Sequence, residues 1–453
     1  MSEVETASVD ASGSGAVPRR GELLQILGTT FGVAVAIGAM IGVGILRAPS
    51  SIAREVPDAF LIMVLWSVAL AHALLEANVV AELGTSLPRA GGPYVYVHRA
   101  FGDIGGLAVG WTLWAQRAAS TAALSIAFAE FLGLLWPAAA KMAPAIAVAM
   151  QIALFGANLV GLREGRAIQE LTSLLKALAL FGFCVIAFLV VAPARSGVAP
   201  AQALIGSAGM IAAYQLIVGA YAGWNEPAFF AEESRDRGRK LPRVMAIGLL
   251  VTAVLYIAIN GALLHVLGTG GVAGNALPFT TVLARVGGTA AAAGVAVFAM
   301  ISVSSCANAG IMSAPRVLLA LSRDGLLPGR FRSVNKGGSP SIATLVTALA
   351  AIAIALTGSF NVAFGLIATL QSAAFILVIL SLFVLRKREP GMTRPFRAIG
   401  YPWLPAVALC VDVALFALFL TANWIGGLYA AILWLVCIPF AMIARRAGTG
   451  ARV

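Results

Sequence analysis

The sequence predicts an all-α integral membrane protein with twelve transmembrane helices, and three observations lead to this fold class. Of 453 residues, 60% are hydrophobic and 11% are charged, with a mean hydropathy of +0.93. Such a composition indicates that lipid, and not water, surrounds the folded chain. Long apolar segments alternate with short polar connections. The Lys and Arg residues concentrate in every second connection.

The apolar segments are much longer than the strands of a membrane β-barrel, which span about 9–11 alternating residues. The first exceeds the roughly 7–15 residues of a signal-peptide core, so we interpret it as a retained span. The predicted spans 1 to 12 are residues 26–48, 59–83, 104–135, 144–161, 168–192, 206–231, 244–267, 288–321, 341–358, 361–385, 402–421 and 425–444.

The uneven distribution of Lys and Arg predicts the topology. By the positive-inside rule, the Lys/Arg-rich connections and both termini face the cytoplasm. Two termini on the same side of the cell membrane require an even number of spans, and twelve fits. The net charge of +12 therefore reflects topology, and no nucleic-acid partner is expected because the basic residues are scattered. The four cysteines lie in apolar segments without CxxC spacing, a pattern that favours neither a disulfide framework nor a metal site.

The same topology predicts an internal repeat. Spans 1 and 6 each open a group of five helices, and since five is odd, the two groups have opposite orientations in the membrane. We expect a disordered cytoplasmic tail over residues 1–20, a first inverted repeat over 21–200 and a second over 201–390. Residues 391–453 then hold spans 11 and 12 and a short cytoplasmic tail.

Spans 1 and 6 are both interrupted by glycines, at Gly38–Leu46 and at Gly219–Pro227. A helix broken at membrane depth exposes backbone N–H and C=O groups that can bind the charged ends of a solute. An alternative interpretation is that the glycines only allow close helix packing, as in small-xxx-small motifs. The occurrence of two such segments in equivalent spans favours a binding site.

A zwitterionic solute would use both kinds of backbone group. The N–H groups of Gly42, Val43 and Gly44 would bind a carboxylate, helped by the positive end of the helix dipole. Carbonyl groups would accept hydrogen bonds from an ammonium. The candidates are those near Met40, Gly219 and Ala222.

Several motifs together carry a family resemblance. They are Gly38–Ile45, Ala81–Tyr94, Gly223–Asn225 with Glu232-Glu233, Arg239–Arg243, and Arg316 with Ser322–Pro328. Over roughly residues 20–400 the chain resembles the amino acid–polyamine–organocation permeases, especially the L-type amino acid transporter branch and its bacterial relatives. The resemblance implies amino acid transport by alternating access, with broken helices 1 and 6 and a central site between spans 1, 3, 6, 8 and 10.

The resemblance also implies individual roles in the substrate site. The glycine segment of span 1 would bind the carboxylate and span 6 the amino group, with Asn225 at the edge of the site. The candidate substrate-binding residues are Met40, Ile41, Gly42, Val43, Gly44, Gly219, Ala222, Trp224 and Asn225. Asn225 alternatively forms a helix–helix hydrogen bond. Many L-type members carry an aromatic gate at the position of Gly219, so the gate differs here, with Tyr221 or Trp224 as the candidates to replace it.

Lys176 in span 5 has two interpretations. It lies near the predicted cytoplasmic end of its span and could extend its ammonium to the surface. By resemblance, it occupies the place where related carriers bind sodium, bridging spans 1 and 8, and it would exclude that ion and take part in proton coupling. Its candidate partners in span 8 are Ser302, Ser304 and Ser305, of which we select Ser302 and Ser305.

Other charged residues in the spans are predicted to be structural. We expect Arg117 to form an ion pair, and Glu226 either to be structural or to face a cationic substrate. His72 and Glu76 lie four apart on one face of span 2, as a packed pair or a proton relay. Asp412 in span 11 lies outside the ten-helix core and is assigned no role.

The predicted function is secondary active, sodium-independent transport of a neutral amino acid, by proton coupling or exchange. The alternatives are a carrier of cationic amino acids or polyamines and a non-transporting amino acid sensor. No enzyme motif is present, and no cofactor or metal is expected. Heteromeric relatives carry a cysteine in the loop after span 3. Here that loop, Trp136–Pro144, has none, so no disulfide-linked heavy subunit is expected.

Overall fold

The computed structural model describes residues 23–422, except 24, 26, 161, 192–205, 237, 276 and 357–359, and beyond them only 428, 431 and 435. Apart from one isolated bridge between Leu27 and Ser234, the regular structure in these ranges is helical. The helices are α1 (Thr29–Met40), α2 (Val43–Glu55), α3 (Ala59–Ser86), α4 (Pro93–Leu135), α5 (Ala143–Val160), α6 (Leu162–Leu189), α7 (Ser207–Tyr221), α8 (Leu241–Ala273), α9 (Pro278–Arg323), α10 (Ser341–Leu356), α11 (Phe360–Arg388) and α12 (Trp403–Ala422). Short 3₁₀ helices cover Pro137–Met142, Glu226–Glu233 and Gly329–Arg332.

The all-helical, multi-pass membrane architecture is confirmed. Within the described ranges, nine helices are long and apolar enough to cross a bilayer by length and composition, counting α1 and α2 together. The shorter α7 lies within the first part of predicted span 6, and α10 lies within predicted span 9. Predicted span 12, residues 425–444, lies almost wholly outside the described residues, so the count of twelve stays a prediction.

Three helices continue past the predicted ends of their spans, and a glycine stands at each transition. Gly102 in α4, Gly268 in α8 and Gly288 in α9 have φ of 72°, 68° and 57°, which only glycine adopts readily. Each kink separates a long apolar helix from a shorter one. The predicted spans begin or end beside these kinks, although the kinks themselves were not predicted.

The first predicted span is split into α1 and α2. Helix α1 ends at Met40, Ile41 and Gly42 are non-helical, and α2 begins at Val43. The sixth is split as well: α7 ends at Tyr221, and a 3₁₀ helix follows from Glu226. Gly223 within this second interruption has φ +116°, which again requires glycine. We call these the first and the second interruption.

The two interruptions pack directly against each other. A Cβ at Gly223 would lie 2.7 Å from the Cβ of Ala39, and a Cβ at Gly44 would lie 3.1 Å from the Cα of Ala220. Glycine is therefore needed at both points for the chains to approach this closely. Around them, α4 packs against α9 and α11, and α3 packs against α8.

Candidate functional site

Two adjoining cavities lie beside the interruptions, with about 450 and 540 Å³ of atom-free space. The residues that line both come from α1, α4, the second interruption, α9 and α11, which are predicted spans 1, 3, 6, 8 and 10. These shared residues are Ala39, Ser120, Ala222, Cys306 and Ile367. Because they form a common wall, we treat the two cavities as one central site with a backbone side and a polar side.

The backbone side is formed by the first turn of α2. Met40, Gly42, Val43 and Gly44 line it together with Gly219. The first N–H groups of a helix have no acceptor within it, and no side chain caps α2 at Gly42. These donors and the positive end of the helix dipole can bind a carboxylate. A Cβ at Gly42 would lie 3.0 Å from the Sγ of Cys306, so a side chain there would narrow the site.

Carbonyl groups of the two interruptions already have donors from neighbouring helices. The Tyr256 hydroxyl of α8 lies 2.7 Å from the Met40 oxygen and 3.1 Å from the Ala220 oxygen. The Sγ of Cys306 donates to the Ala39 oxygen at 2.9 Å. Sequence reasoning missed Tyr256, because one tyrosine in an apolar run gives no signal of its partners. The hydroxyl links the ends of α1 and α7.

Lys176 is fully buried, which excludes the surface-directed interpretation. Helix α6 starts at Leu162, earlier than the predicted 168, and this places Lys176 at the middle of the helix. Its ammonium donates to the oxygens of Gly38 at 2.7 Å, Ile41 at 2.5 Å and Ser302 at 3.2 Å. The three acceptors match the three N–H donors of a lysine, so the charge is solvated by backbone dipoles.

The two selected serines have different surroundings. The hydroxyl of Ser302 donates to the Ile41 oxygen at 2.9 Å, which Lys176 also contacts. Ser305 instead accepts a bond from Gln169, and Gln169 in turn accepts one from Asn308. Ser302 therefore meets Lys176 at the first interruption, whereas Ser305 belongs to a neighbouring polar network between α6 and α9.

Gly38 contacts this network and not the cavity. A Cβ there would lie 1.9 Å from the Nε2 of Gln169 and 2.3 Å from the Oγ of Ser173. The close-packing interpretation thus applies to Gly38. Gly42 and Gly44 line the cavity, so the two interpretations of the motif hold for different glycines.

The polar side of the site contains a buried ion pair. Arg117 donates to the Glu226 carboxylate at 2.7 Å and to the Ser313 hydroxyl at 3.1 Å. Its guanidinium lies 3.9 Å from the ring centroid of Phe229. The other carboxylate oxygen of Glu226 is buried and has no hydrogen-bond partner in the part of the chain that the structure describes. The expected ion pair of Arg117 is therefore formed with Glu226, and it offsets the negative charge in the cavity wall.

Three amide side chains complete the polar side. Gln116 and Gln371 are in hydrogen-bond contact at 3.3 Å, and Asn225 lines the same cavity while being buried. Of the predicted site residues, Ile41 and Trp224 do not line the cavity. Ile41 contributes its carbonyl to Lys176, and Trp224 packs against the cavity residue Phe375.

Outside the central site, the structure brings together residues that we had predicted separately. His72 Nε2 lies 3.2 Å from a carboxylate oxygen of Asp412, which was assigned no role. The sequence pattern did not indicate this contact. Cys184, Cys306 and Cys410 are free thiols, and Cys437 lies outside the described residues.

Comparison with known proteins gives a family match that covers most of the chain. The family model described as amino acid permease matches residues 27–443. The serine/threonine exchanger SteT of Bacillus subtilis is 26% identical over 407 residues, covering 85% of this chain and 89% of that protein.

Two further relatives cover similar lengths. The branched-chain amino acid permease BcaP of Bacillus subtilis is 26% identical over 406 residues, 85% of each chain. The b(0,+)-type amino acid transporter 1 of Rattus norvegicus is 26% identical over 414 residues, 88% of this chain and 83% of its own. The names of the first two relatives specify serine/threonine and branched-chain amino acids, and that of the third specifies amino acids in general.

Proposed function

The chain belongs to the amino acid permease family, and from this premise we propose that it is a secondary active transporter of a neutral amino acid that works by alternating access. The family and the relatives reported above are transporters and not enzymes. The single observation that supports the proposal most is the central cavity between two interrupted helices.

The substrate's charged ends would bind at the backbone side of this cavity. The N–H groups of Gly42, Val43 and Gly44 would receive the carboxylate, and no side chain competes for them as a cap. The ammonium would lie toward the second interruption, near Gly219 and Ala222, which line the same cavity. Asn225 on the polar side is close enough to contribute to substrate binding.

A neutral side chain fits the charge of the cavity wall. Glu226 is the carboxylate that a cationic substrate would need, but Arg117 already pairs with it at 2.7 Å. A second cation would have to compete with this buried pair, which is unfavourable in a low-dielectric site. A carrier for cationic amino acids or polyamines is therefore the second choice, supported by the unpartnered Glu226 oxygen.

Sodium independence is part of the proposal. Lys176 fills the space between the carbonyls of Gly38, Ile41 and Ser302 with a fixed positive charge. A sodium ion at that point would meet electrostatic repulsion and lose the same oxygen ligands. Lys176 and Ser302 would link the place from which sodium is excluded to the first interruption. Ser305 would lie in the adjoining polar network between α6 and α9.

We further propose the topology that the sequence predicts. Twelve spans would cross the cell membrane with both termini in the cytoplasm. Residues 21–200 and 201–390 would form inverted repeats, preceded by the tail 1–20 and followed by 391–453. The chain would act without a cofactor and without a disulfide-linked heavy subunit.

Counterflow in proteoliposomes tests this function. Vesicles that contain the purified protein are loaded with one unlabelled amino acid and diluted into the same labelled compound, and each common amino acid is tested in turn. Transient accumulation of label with a neutral amino acid supports the proposal. A response to lysine, arginine or polyamines alone would favour the second choice, and binding without any accumulation would favour a sensor.

A further inference from the structure

A second buried group of titratable side chains lies outside the central site. His72 and Glu76 of α3 and Asp412 of α12 form it, and we call it the acidic cluster. One polar side-chain atom of each residue, a ring nitrogen of His72 or a carboxylate oxygen, lies within 4.8 Å of such an atom in each of the other two residues. The exposed fractions are 6%, 5% and 1%, so water does not solvate the carboxylates.

If both carboxylates of the acidic cluster were ionised, its negative charge would exceed the positive charge that the surrounding groups supply. His72 Nε2 is 3.2 Å from one oxygen of Asp412, while the second oxygen is buried and has no hydrogen-bond partner among the described residues. The three members interact with one another and with Trp224, and the two carboxylates also act on Tyr214 of α7. Within the described residues, the ion pair of the cluster is that of His72 with Asp412, and no arginine or lysine forms an ion pair with either carboxylate.

In the part of the chain that the structure describes, the helices around the cluster pair their own charges elsewhere or contribute aromatic residues. Trp66, which lies nearer the start of α3 than the cluster does, packs against Tyr221 of α7 and Tyr256 of α8. On α11, Arg386 pairs with Glu82 near the end of α3. Predicted span 12, residues 425–444, has no charged residue in its sequence.

The position of the cluster makes ionisation of both carboxylates energetically unfavourable. His72 lies at the middle of the 28-residue α3, at the depth of the hydrocarbon core. Two carboxylates this close in a low-dielectric interior cannot both be ionised without a bound cation. A proton is the cation that needs no additional ligands and no space, and the unpartnered Asp412 oxygen can receive it.

The cluster is connected to the central site through Trp224. The Trp224 indole interacts with the Glu76 carboxylate, and the indole ring packs against Phe375 of the cavity wall at 5.6 Å between ring centroids. Trp224 belongs to the second interruption, between Gly223 and Asn225. A change in the charge of Glu76 would therefore alter its interaction with the segment that is proposed to bind substrate.

We propose that His72, Glu76 and Asp412 form a proton-binding site whose occupancy is coupled to the second interruption through Trp224. This inference rests on the proposed transport function, and it identifies the proton as the co-transported ion. It also separates two tasks, because the ammonium of Lys176 stays paired with backbone carbonyls while the acidic cluster exchanges the proton.

The experiment combines two measurements on the full-length protein. In proteoliposomes with a pH-sensitive dye inside, substrate addition should move protons with the amino acid, and an inward proton gradient should drive its accumulation. In Glu76→Gln and Asp412→Asn, substrate-linked proton movement should be lost, and counterflow should continue because the amides retain the shape of the carboxylates. Asp58→Asn is the matched control on α3, since asparagine caps a helix as well as aspartate does.

Infrared spectroscopy of the same proteins tests the cluster without transport. The wild type should show the C=O stretch of a buried protonated carboxyl group, which either cluster variant removes and the control keeps. Absence of this band, its persistence in both variants, or proton movement that both variants retain would each overturn the proposal. A stoichiometric divalent metal in the purified protein that Asp412→Asn loses would also overturn it.

The two proposals fail in different ways. If counterflow occurs without proton movement, transport stands and the proton site is wrong. If no amino acid gives counterflow, the transport function is wrong, and the infrared band still decides whether the cluster binds a proton.

Discussion

The first and the second interruption pack against each other, but different interactions hold the non-helical backbone of each in place. At the first, side chains from three other helices contact its backbone: Lys176 from α6, Tyr256 from α8, and Ser302 and Cys306 from α9. At the second, the backbone makes local turns, with the N–H of Ala222 bonded to the Gly219 oxygen and that of Glu226 to the Gly223 oxygen.

The side chains of the second interruption point away from its backbone, toward charged partners. Glu226 pairs with Arg117, and Trp224 interacts with Glu76. The first interruption is thus fixed by donors to its carbonyls, while the second is linked to ionisable side chains. This difference suggests that the first defines the binding geometry and that the second responds to ions.

Substitution of Gly42 should have the largest effect on this arrangement. In Gly42→Val the side chain would meet Cys306, because even a Cβ lies 3.0 Å from its sulfur, and would shift the N–H donors. Loss of two charge-assisted hydrogen bonds lowers transport by about 100-fold or more. Initial uptake rates at equal membrane insertion measure it. Gly156→Val is the control, since a Cβ there has no neighbour within 4 Å. Normal uptake by Gly42→Val would remove the carboxylate site.

Lys176→Ala should produce the next largest loss. It removes the shared donor of Gly38, Ile41 and Ser302 and leaves buried carbonyls unsatisfied. An unsatisfied buried polar group costs about 1–3 kcal/mol, so we expect the rate of uptake to fall by about ten- to 100-fold. Uptake kinetics of Lys176→Ala are compared with those of the exposed Lys141→Ala. Wild-type kinetics in Lys176→Ala would mean that the ammonium does not fix the first interruption.

Tyr256→Phe tests the link between the two interruptions and should have a smaller effect. It removes the hydroxyl that lies between the Met40 and Ala220 oxygens. One neutral hydrogen bond corresponds to about a two- to tenfold decrease in the rate of counterflow. Tyr96→Phe is matched to it, because the buried Tyr96 hydroxyl has no partner among the described residues. Equal rates in the two variants would show that the link is unimportant.

Replacement of sodium by choline should leave uptake unchanged, the smallest expected effect. The positive charge of Lys176 occupies the carbonyl-lined space at the first interruption, so no sodium ion is required there. Uptake is measured at constant osmolarity and membrane potential. A strict dependence on sodium would refute the role given to Lys176.

Much of the fold could be predicted from the sequence, because each part has a local signal. Hydropathy located the long helices, and Gly38–Leu46 and Gly219–Pro227 marked the places where α1 and α7 end. The predicted spans also stopped at the kinks of Gly102, Gly268 and Gly288. Burial in lipid makes these signals strong, since a membrane helix needs a continuous apolar run.

The partners of the polar side chains could not be predicted in the same way. Glu226 was considered a possible contact for a cationic substrate until the structure placed Arg117, 109 positions earlier, at 2.7 Å. The pairing of His72 with Asp412 joins residues 340 positions apart. Neither separation leaves a mark in the local pattern, so each partner depends on how distant helices pack.

The sequence by itself determined a helical membrane protein of the amino acid permease family, the approximate spans, and the two glycine segments that interrupt them. Only the tertiary structure decided that Lys176 is buried among three carbonyls, that Tyr256 joins the interruptions, and that Asp412 completes a cluster with His72 and Glu76. Hydropathy and backbone conformation depend on neighbouring residues, whereas the neutralisation of a buried charge depends on groups that folding brings from distant parts of the chain.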